Sequence, residues 1–214
     1  AAALRYKLEL YVCHLHTDMP AYTVLSIIID RSGIGPAVMV GTKTSLDLID
    51  ALEGCVGETV AIRRSLRSMQ DSSKKRMSAL RPDTLDHVGR MLWWCNPERI
   101  RDIEFLTGDG VITFDELSAL EHISPEEEIT SRIAALNKFF NDLNYQVCYK
   151  ELIETKLKKQ LGGMTAVMVR IPKMQPVYLN ETLPAYATER LRDVPTKIGL
   201  KPAKELHTVP HPYP

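Results

Sequence analysis

Two features of this 214-residue sequence could take part in catalysis or binding. They are the side chains of Glu58 and Arg63 in one amphipathic segment, and the last five residues. Glu58 offers a carboxylate that suits a hard divalent cation, and Arg63 offers a guanidinium that suits phosphate. On a helix, five positions correspond to roughly 140° of rotation, so the two are not a simple surface ion pair. Two hypotheses stay open. They line different parts of one cleft, or they belong to a solvated polar face that continues with Arg64 and Arg67.

The end of the chain is the second candidate, because prolines alternate with other residues up to the last position, as Pro210, Pro212 and Pro214. Each proline fixes φ at about −65° and pushes the preceding residue into an extended conformation, so the tail is predicted to be a short polyproline rod. Such a rod can deliver one carboxylate, that of Pro214, to one place. Proline-rich ends also serve as spacers or docking peptides, so the motif alone leaves both interpretations open.

A calcium-loop spacing is present between residues 105 and 116, with Asp109 and Glu116 at the fifth and twelfth loop positions. Phe105 and Thr107 then occupy the first and third positions, which removes two carboxylates that a calcium site requires. We therefore do not predict calcium binding.

Two other pairs are interpreted as structural. His14 and His16 alternate on a predicted strand and face one side, but no third ligand is near in sequence, which favours a polar strand face over a metal site. Trp93 and Trp94 favour core and interface packing over a base-stacking platform, because the chain has no basic field.

The charge balance of the chain bounds the kinds of partner it can have. Lys plus Arg and Asp plus Glu number 27 each, and zero net charge argues against nucleic acid or a membrane surface as a partner. No apolar run of membrane-spanning length and no signal-peptide pattern is present, so a cytoplasmic protein is predicted. Four scattered cysteines lack zinc or redox spacing and are expected to be buried and reduced: Cys13, Cys55, Cys95 and Cys148.

The first third of the chain contains the elements that would position the helical candidates. Strands are predicted over Leu8–Leu15, Tyr22–Asp30 and Ala37–Gly41, with a glycine-rich turn before the last of them. The middle strand is apolar on both faces and is expected to be covered on both sides. Ser45 precedes a long amphipathic helix over about Leu46–Met69 that carries Glu58 and Arg63.

The rest of the chain is predicted to be more helical and then irregular. Helices are expected over 82–93 and 124–143 and strands over Tyr145–Tyr149 and Met164–Ile171. A weak internal repeat relates residues 8–18 to 143–154. The predicted fold is therefore α+β, with mixed or antiparallel sheet units, packed helices, a duplicated strand-pair organisation and an extended Pro-rich C-terminal tail. The expected parts are an α+β unit over 1–171 and an irregular proline-rich wrap over 172–214.

Taken in order, several segments resemble the C-terminal half of a YcaO-domain protein, and the resemblance covers nearly the whole chain. A strand pair closed by a Gly-Pro-Ala turn precedes a helix in which Ala51, Cys55, Glu58 and Arg63 match the family spacing of two small residues, a glutamate and an arginine. The family's strand exit is matched by RIPKMQPV, and the PxPxP end of its azoline-forming members by PHPYP.

The resemblance implies ATP-dependent activation of a peptide backbone amide. In the azoline-forming branch a Cys, Ser or Thr side chain attacks the preceding carbonyl, ATP phosphorylates the resulting oxygen, and phosphate leaves to give a thiazoline or oxazoline. It implies that Glu58 helps to hold Mg²⁺ or the nucleotide and that Arg63 neutralises phosphate. It also implies that the Pro214 carboxylate, presented by Pro210 and Pro212, acts in the active site as a base or as an organiser of the substrate amide.

Two departures from the family pattern bear on these roles. Ala61 stands where family helices often carry a glutamine, so one nucleotide contact is missing. The glutamate-rich motifs that hold most of the Mg²⁺ in the family belong to an N-terminal half that is not found here. We therefore expect a chain completed by an N-terminal YcaO half or a second chain, or else a degenerate relative that is no competent ATPase by itself.

The expected partners are a peptide substrate, a leader-peptide-binding protein and further copies of the chain in a homo-oligomer, with no nucleic acid and no membrane. Azoline formation by cyclodehydration is the favoured activity, because the proline tail belongs to that branch. Two alternatives remain: ATP-dependent backbone thioamidation, and a non-catalytic peptide-binding or scaffold subunit.

Overall fold

The computed structural model describes residues 5–108, 110–120, 123–124, 128–178, 180–182, 188–205 and 209–213. Its centre is an antiparallel sheet of three strands in the order β1 (Leu8–His14), β2 (Tyr22–Asp30) and β3 (Val38–Ser45). β2 has the predicted bounds and is buried on both faces. β3 extends four residues beyond its predicted end, because its second half pairs with the first half of β2, from Leu25 opposite Thr42 to Tyr22 opposite Ser45.

A long helix, α1 (Leu48–Gln70), covers one face of this sheet. Its buried stripe includes Ala51, Cys55 and Thr59, which confirms the predicted amphipathic helix. The helix begins two residues later than expected. The Asp47 carboxylate accepts hydrogen bonds from the Ile49 and Asp50 amides at 2.8 and 3.1 Å, so Asp47 caps the helix in place of Ser45.

The other face of the sheet is covered by short 3₁₀ turns over Pro97–Asp102 and Glu104–Thr107 and by residues of the tail. Here the side chains of Leu25, Ile27 and Ile29 form one buried cluster with Trp94, Ile100 and Ile103, and Val209 and Tyr213 pack against that cluster. The core thus lies on both sides of β2.

Between α1 and these turns lie α2 (Lys74–Met77), a 3₁₀ turn over Pro82–Thr84 and α3 (His87–Trp93). A single helix from Pro82 to Trp93 was predicted, but the chain is extended at Leu85 and Asp86. The Asp86 carboxylate accepts a 2.7 Å hydrogen bond from the Gly89 amide and thereby starts a new helix.

The remaining elements confirm the α+β class. α4 (Phe114–Ser118) and α5 (Ile129–Asp142) precede a second antiparallel sheet in which β4 (Cys148–Glu151) pairs with β5 (Val167–Arg170) around α6 (Thr155–Gln160). Both strands are shorter than predicted. The proline-rich part beyond residue 172, expected to be irregular, contains a ten-residue helix, α7 (Thr188–Lys197).

Other predictions are settled by the described residues. The cysteines there are free thiols; Cys55 and Cys95 are buried as expected, whereas Cys148 is exposed, which corrects its predicted burial. Within the parts of the chain given above, no helix is both long and apolar enough to cross a membrane.

Candidate functional site

The position of α1 on the sheet is fixed by a small polar contact in the core. The Ser26 hydroxyl of β2 donates a 2.8 Å hydrogen bond to the Cys55 carbonyl and also contacts the Thr59 hydroxyl, and both side chains are fully buried. Gly41 of β3 lies beneath the same turn. A Cβ added there would come within 2.6 Å of the Thr59 hydroxyl and 2.7 Å of the Cys55 carbonyl. The helix and the strand therefore approach closely, which sets the height of Glu58 and Arg63 above the sheet.

Glu58 is anchored to β3 by its own side chain. Its Oε2 atom accepts a 2.8 Å hydrogen bond from the Thr42 amide, while the residue remains exposed. This contact fixes the direction of the carboxylate beside the third strand. An oriented and accessible carboxylate is what a Mg²⁺ ligand requires.

Arg63 lies one and a half turns further along α1 and meets the end of β2. Its Nη2 atom is 3.3 Å from the Oδ2 atom of Asp30, and the two side chains are only 20% and 4% exposed. The Arg63 Nε atom is buried and has no hydrogen-bond partner among the described residues. A half-satisfied guanidinium of this kind has donors left for another acceptor.

Asp30 connects Arg63 to the glycine-rich turn that follows β2. Its Oδ1 atom accepts hydrogen bonds from the amide and hydroxyl of Ser32 at 3.0 and 2.5 Å. Gly35 closes over the same carboxylate, because a Cβ added there would lie 2.5 Å from Oδ2. Only glycine allows the turn to approach this closely.

A polar cleft of about 730 Å³ opens at this end of the sheet. Among the described residues that line it, Asp30 is the one carboxylate, against five cationic side chains: Arg5, Lys7, Arg31, Arg63 and Arg67. The charge of Arg31 is already engaged by Glu9 at 2.8 Å and Glu104 at 3.0 Å. The excess of positive charge around an incompletely bonded guanidinium fits a phosphate group.

The tail forms part of the wall of a second cavity, of about 300 Å³, whose lining includes Trp94, Ile103 and residues 209–213. Pro210 is buried and Pro212 is half-buried. His211 packs edge-on against Tyr178 with ring centroids 4.9 Å apart, and its Nε2 atom donates to the Tyr178 carbonyl at 2.8 Å. Pro214, the predicted catalytic residue, lies outside the described residues.

The two candidate regions lie on opposite faces of the central sheet. Side chains alternate along a strand. Asp30 and Ser26 of β2 contact α1, whereas Leu25 and Ile27 face the cluster against which Tyr213 packs. The structure thus brings Arg63 and Glu58 to the helix-covered face, and it does not bring Pro210 or Pro212 to them.

The structure also places the residues of the motifs that the sequence analysis interpreted as structural. The His14 and His16 rings stack on each other at 6.1 Å, and the described residues hold no group of three or more metal-ligating side chains. Glu116 belongs to a capping box with Thr113, and these bonds lower its pKa. Asp109 lies outside the described residues. The guanidinium of Arg99 lies 4.6 Å above the Trp93 ring, as in ordinary packing.

The model of the family described as "YcaO cyclodehydratase, ATP- and Mg²⁺-binding" matches residues 1–175, more than half of the chain. The chain belongs to the YcaO family. ATP and Mg²⁺ are the cofactors of that family. The comparison with curated proteins gives no match.

Two solved structures share the fold of this YcaO chain. One is described as a heterocyclase in complex with substrate and cofactor, with a TM-score of 0.66 and 17% identity over 95% of this chain and 24% of that one. The other is the heterocyclase TruD, with a TM-score of 0.64 and 14% identity over 95% of this chain and 25% of that one. The chain therefore spans about a quarter of the length of these two heterocyclases.

Two residues of the site were missed from the sequence. Asp30 ends an apolar strand before a glycine-rich turn, and a lone acid at the end of a fully buried strand is a signal that was available. Arg90 is completely buried and donates to the backbone of the tail, yet in the sequence it resembles any arginine on an exposed helix face.

Proposed function

We propose that this chain is the nucleotide-binding and tail-bearing part of a YcaO enzyme that cyclodehydrates Cys, Ser or Thr residues of a ribosomally made peptide to azolines. The observation that carries the proposal is Arg63, which enters a cationic cleft with its Nε atom buried and without a partner among the described residues. Family membership gives that cleft its ligand, because the family binds ATP and Mg²⁺.

The residues of this chain fit the phosphates better than they fit the metal. When bound, ATP supplies the phosphoryl group that turns a poorly leaving amide oxygen into a good leaving group. Arg63 binds phosphate oxygens, and Asp30 holds its guanidinium at the mouth of the turn. Glu58 is one Mg²⁺ ligand, held in place by the Thr42 amide.

One carboxylate does not complete a Mg²⁺ site. The described residues contain no cluster of three or more acidic or other metal-ligating side chains, and the chain spans about a quarter of its heterocyclase relatives. We therefore propose that an N-terminal YcaO half or a second chain supplies the other ligands, as the sequence predicts. A leader-peptide-binding protein and self-association remain part of the same proposal.

The tail is a separate part of the proposal, because it lies on the other face of the sheet from Arg63. The Pro214 carboxylate acts on the substrate amide as a base or as an organiser, and the extended residues before it fix its reach. One residue added after Pro214 would move the carboxylate by about 3.5 Å, which we expect to damage azoline formation. Unchanged azoline formation after deletion of residues 210–214 would end this part of the proposal.

The test of the cleft is turnover of the complete, reconstituted enzyme, followed as ATP hydrolysis and as loss of one water per ring. We expect Arg63→Ala and Glu58→Gln to lower kcat/KM for ATP by about 100-fold or more. Arg64→Ala is the matched control, because Arg64 is the exposed neighbour on the same helix and should retain activity within about twofold.

The same assay separates the alternatives. A product in which sulfur replaces oxygen, rather than one that has lost water, would assign the chain to backbone thioamidation. Full activity of both variants would mean that the cleft holds no nucleotide and that the chain is a peptide-binding or scaffold subunit. The proline tail favours cyclodehydration over both, because it belongs to the azoline-forming branch.

A further inference from the structure

The tail is held in the structure by the guanidinium of Arg90, which is fully buried. Its Nε atom donates to the carbonyl of Tyr213 at 3.1 Å, and its Nη1 atom donates to the carbonyl of Tyr178 at 2.9 Å. Glu181 supplies the opposite charge, with an N to O distance of 3.4 Å and a side chain that is 9% exposed. Arg90 thus connects α3 to Tyr178, to Glu181 and to the tail.

A second contact ties the tail to the same carbonyl. His211 donates from Nε2 to the Tyr178 carbonyl, which therefore accepts from both Arg90 and His211. The tail is fixed at positions 211 and 213, on either side of Pro212. The Tyr213 ring also packs against the core cluster of the sheet.

Proline chemistry explains why donors must come from outside the tail. The prolines at 210, 212 and 214 have no N–H group, so the tail offers few donors of its own and mainly carbonyl acceptors. A guanidinium presents several N–H donors in a rigid plane and is suited to holding acceptors in one geometry. A chain advances by at most about 3.5 Å per residue, so a fixed Tyr213 carbonyl limits the reach of Pro214.

We propose that Arg90 is the positioning residue of the tail: by holding the Tyr213 carbonyl, it sets where the chain end is presented to the substrate. This inference rests on the proposed function of the tail for its consequence in catalysis, but the anchoring itself does not depend on turnover. Arg90 acts through the tail and is not among the described residues that line the cationic cleft beside Arg63.

Backbone ¹⁵N relaxation of the full chain tests the anchoring without any assay of activity. In Arg90→Lys, whose single ammonium cannot reproduce the planar fork, we expect the order parameters of the His211 and Tyr213 amides to fall from about 0.85 to below about 0.6, while those of β2 stay unchanged. Arg99→Lys is the matched control, because Arg99 is also largely buried but pairs with Asp102 rather than with a described residue of the tail. Unchanged order parameters of the tail in Arg90→Lys would overturn the proposal.

A second measurement approaches the contact from the tail side and leaves Arg90 intact. Truncation after Pro212 removes the Tyr213 carbonyl, so the Arg90 Nε proton, followed by ¹⁵N NMR, should lose its protection from solvent exchange. If that proton remains equally protected in the truncated chain, Tyr213 is not its acceptor and the proposal fails.

Kinetics of the reconstituted enzyme then separate this inference from the proposed function. We expect Arg90→Lys to lower kcat for azoline formation about tenfold with KM for ATP unchanged, and to have no further effect in a chain that lacks residues 210–214. A raised KM for ATP with unchanged kcat would contradict positioning through the tail. If no variant of the cleft affects turnover, the proposed function fails, whereas the two NMR experiments still decide whether Arg90 anchors the tail.

Discussion

The Nε atom of Arg90 lies 3.1 Å from the carbonyl oxygen of Tyr213, although 123 residues separate the two positions in the chain. This contact joins α3 to Tyr213, the last residue that the structure describes. It also places a cation in a fully desolvated position whose nearest opposite charge, on Glu181, is 3.4 Å away. Such an arrangement is costly to disturb, because removing one partner leaves the others buried and unpaired.

Arg90→Ala is therefore expected to lower the free energy of unfolding by about 3 kcal/mol, as is usual when one partner of a buried pair is removed. The loss includes a nearly buried Glu181 without its cation and the Tyr213 carbonyl without its Arg90 donor, whereas the Tyr178 carbonyl keeps the donor from His211. Urea denaturation followed by circular dichroism measures it. Arg101→Ala is the control, because Arg101 is 73% exposed and should change stability by less than about 0.5 kcal/mol. Equal stabilities of the two variants would contradict this account.

A pair of glycine substitutions tests how closely α1 lies on β3. In Gly41→Ala the new Cβ would come within 2.8 Å of backbone and side-chain atoms at Thr59 and Cys55, so the helix must move away from the strand. We expect a loss of about 2 kcal/mol in the free energy of unfolding. Gly57→Ala in the same helix meets nothing within 4 Å and should gain up to about 1 kcal/mol. Urea midpoints that shift in the same direction would argue against this packing.

The central unit was predictable because its sequence signals are local and strong. β2 is so rich in apolar, β-branched residues that its bounds were predicted without error, and α1 was found from its apolar stripe. The break at Asp86 was not predicted, because a proline-initiated 3₁₀ turn followed by a capped helix has nearly the same apolar spacing as one helix. Its signal was the Asp86 side chain, an N-cap three residues before Gly89.

The contacts that build the site could not be predicted, because they depend on tertiary structure. The spacing of Glu58 and Arg63 placed them on one helix, but only the register of β2 and β3 puts Asp30 beside Arg63 and the Thr42 amide beside Glu58. Likewise, nothing local distinguishes Arg90 from the neighbouring exposed arginines. The proline pattern predicted a stiff, extended chain end, but the burial of Pro210 depends on tertiary contacts that the pattern does not contain.

Thiol reactivity should follow burial across the four cysteines. Burial raises the pKa of Cys13, Cys55 and Cys95, the last to about 12, whereas Cys148 is exposed on the second sheet. Because only thiolates react, iodoacetamide at about pH 8 should label Cys148 first and leave Cys55 and Cys95 unmodified in the native protein. Peptide mass spectrometry reads out the order, and labelling in urea shows that all four can react. Early labelling of Cys95 would contradict its burial in the core cluster that also contains Leu92 of α3.

Protonation of His211 should weaken the fold at low pH. Burial is the largest cause and lowers the pKa of His211; the hydrogen bond to the Tyr178 carbonyl, the next largest, raises the pKa, the charge of Arg90 lowers it and the charge of Glu181 raises it, so that the net shift is downward. The unfolded chain therefore binds a proton at a higher pH than the folded one. The contribution of neutral His211 to stability is complete above the unfolded pKa of about 6.5 and is lost as the pH falls towards the lower folded value.

His211→Gln tests this linkage, because an amide N–H can replace the donor to Tyr178 without titrating. The decrease in unfolding free energy between about pH 7.5 and pH 5 should be smaller in this variant than in the wild-type protein. Urea midpoints at the two pH values give the decrease for each protein, and carboxylates that titrate in both proteins cancel from the comparison. If His211→Gln and the wild-type protein lose the same stability on acidification, the histidine is not held neutral by its position between Tyr178 and Tyr213.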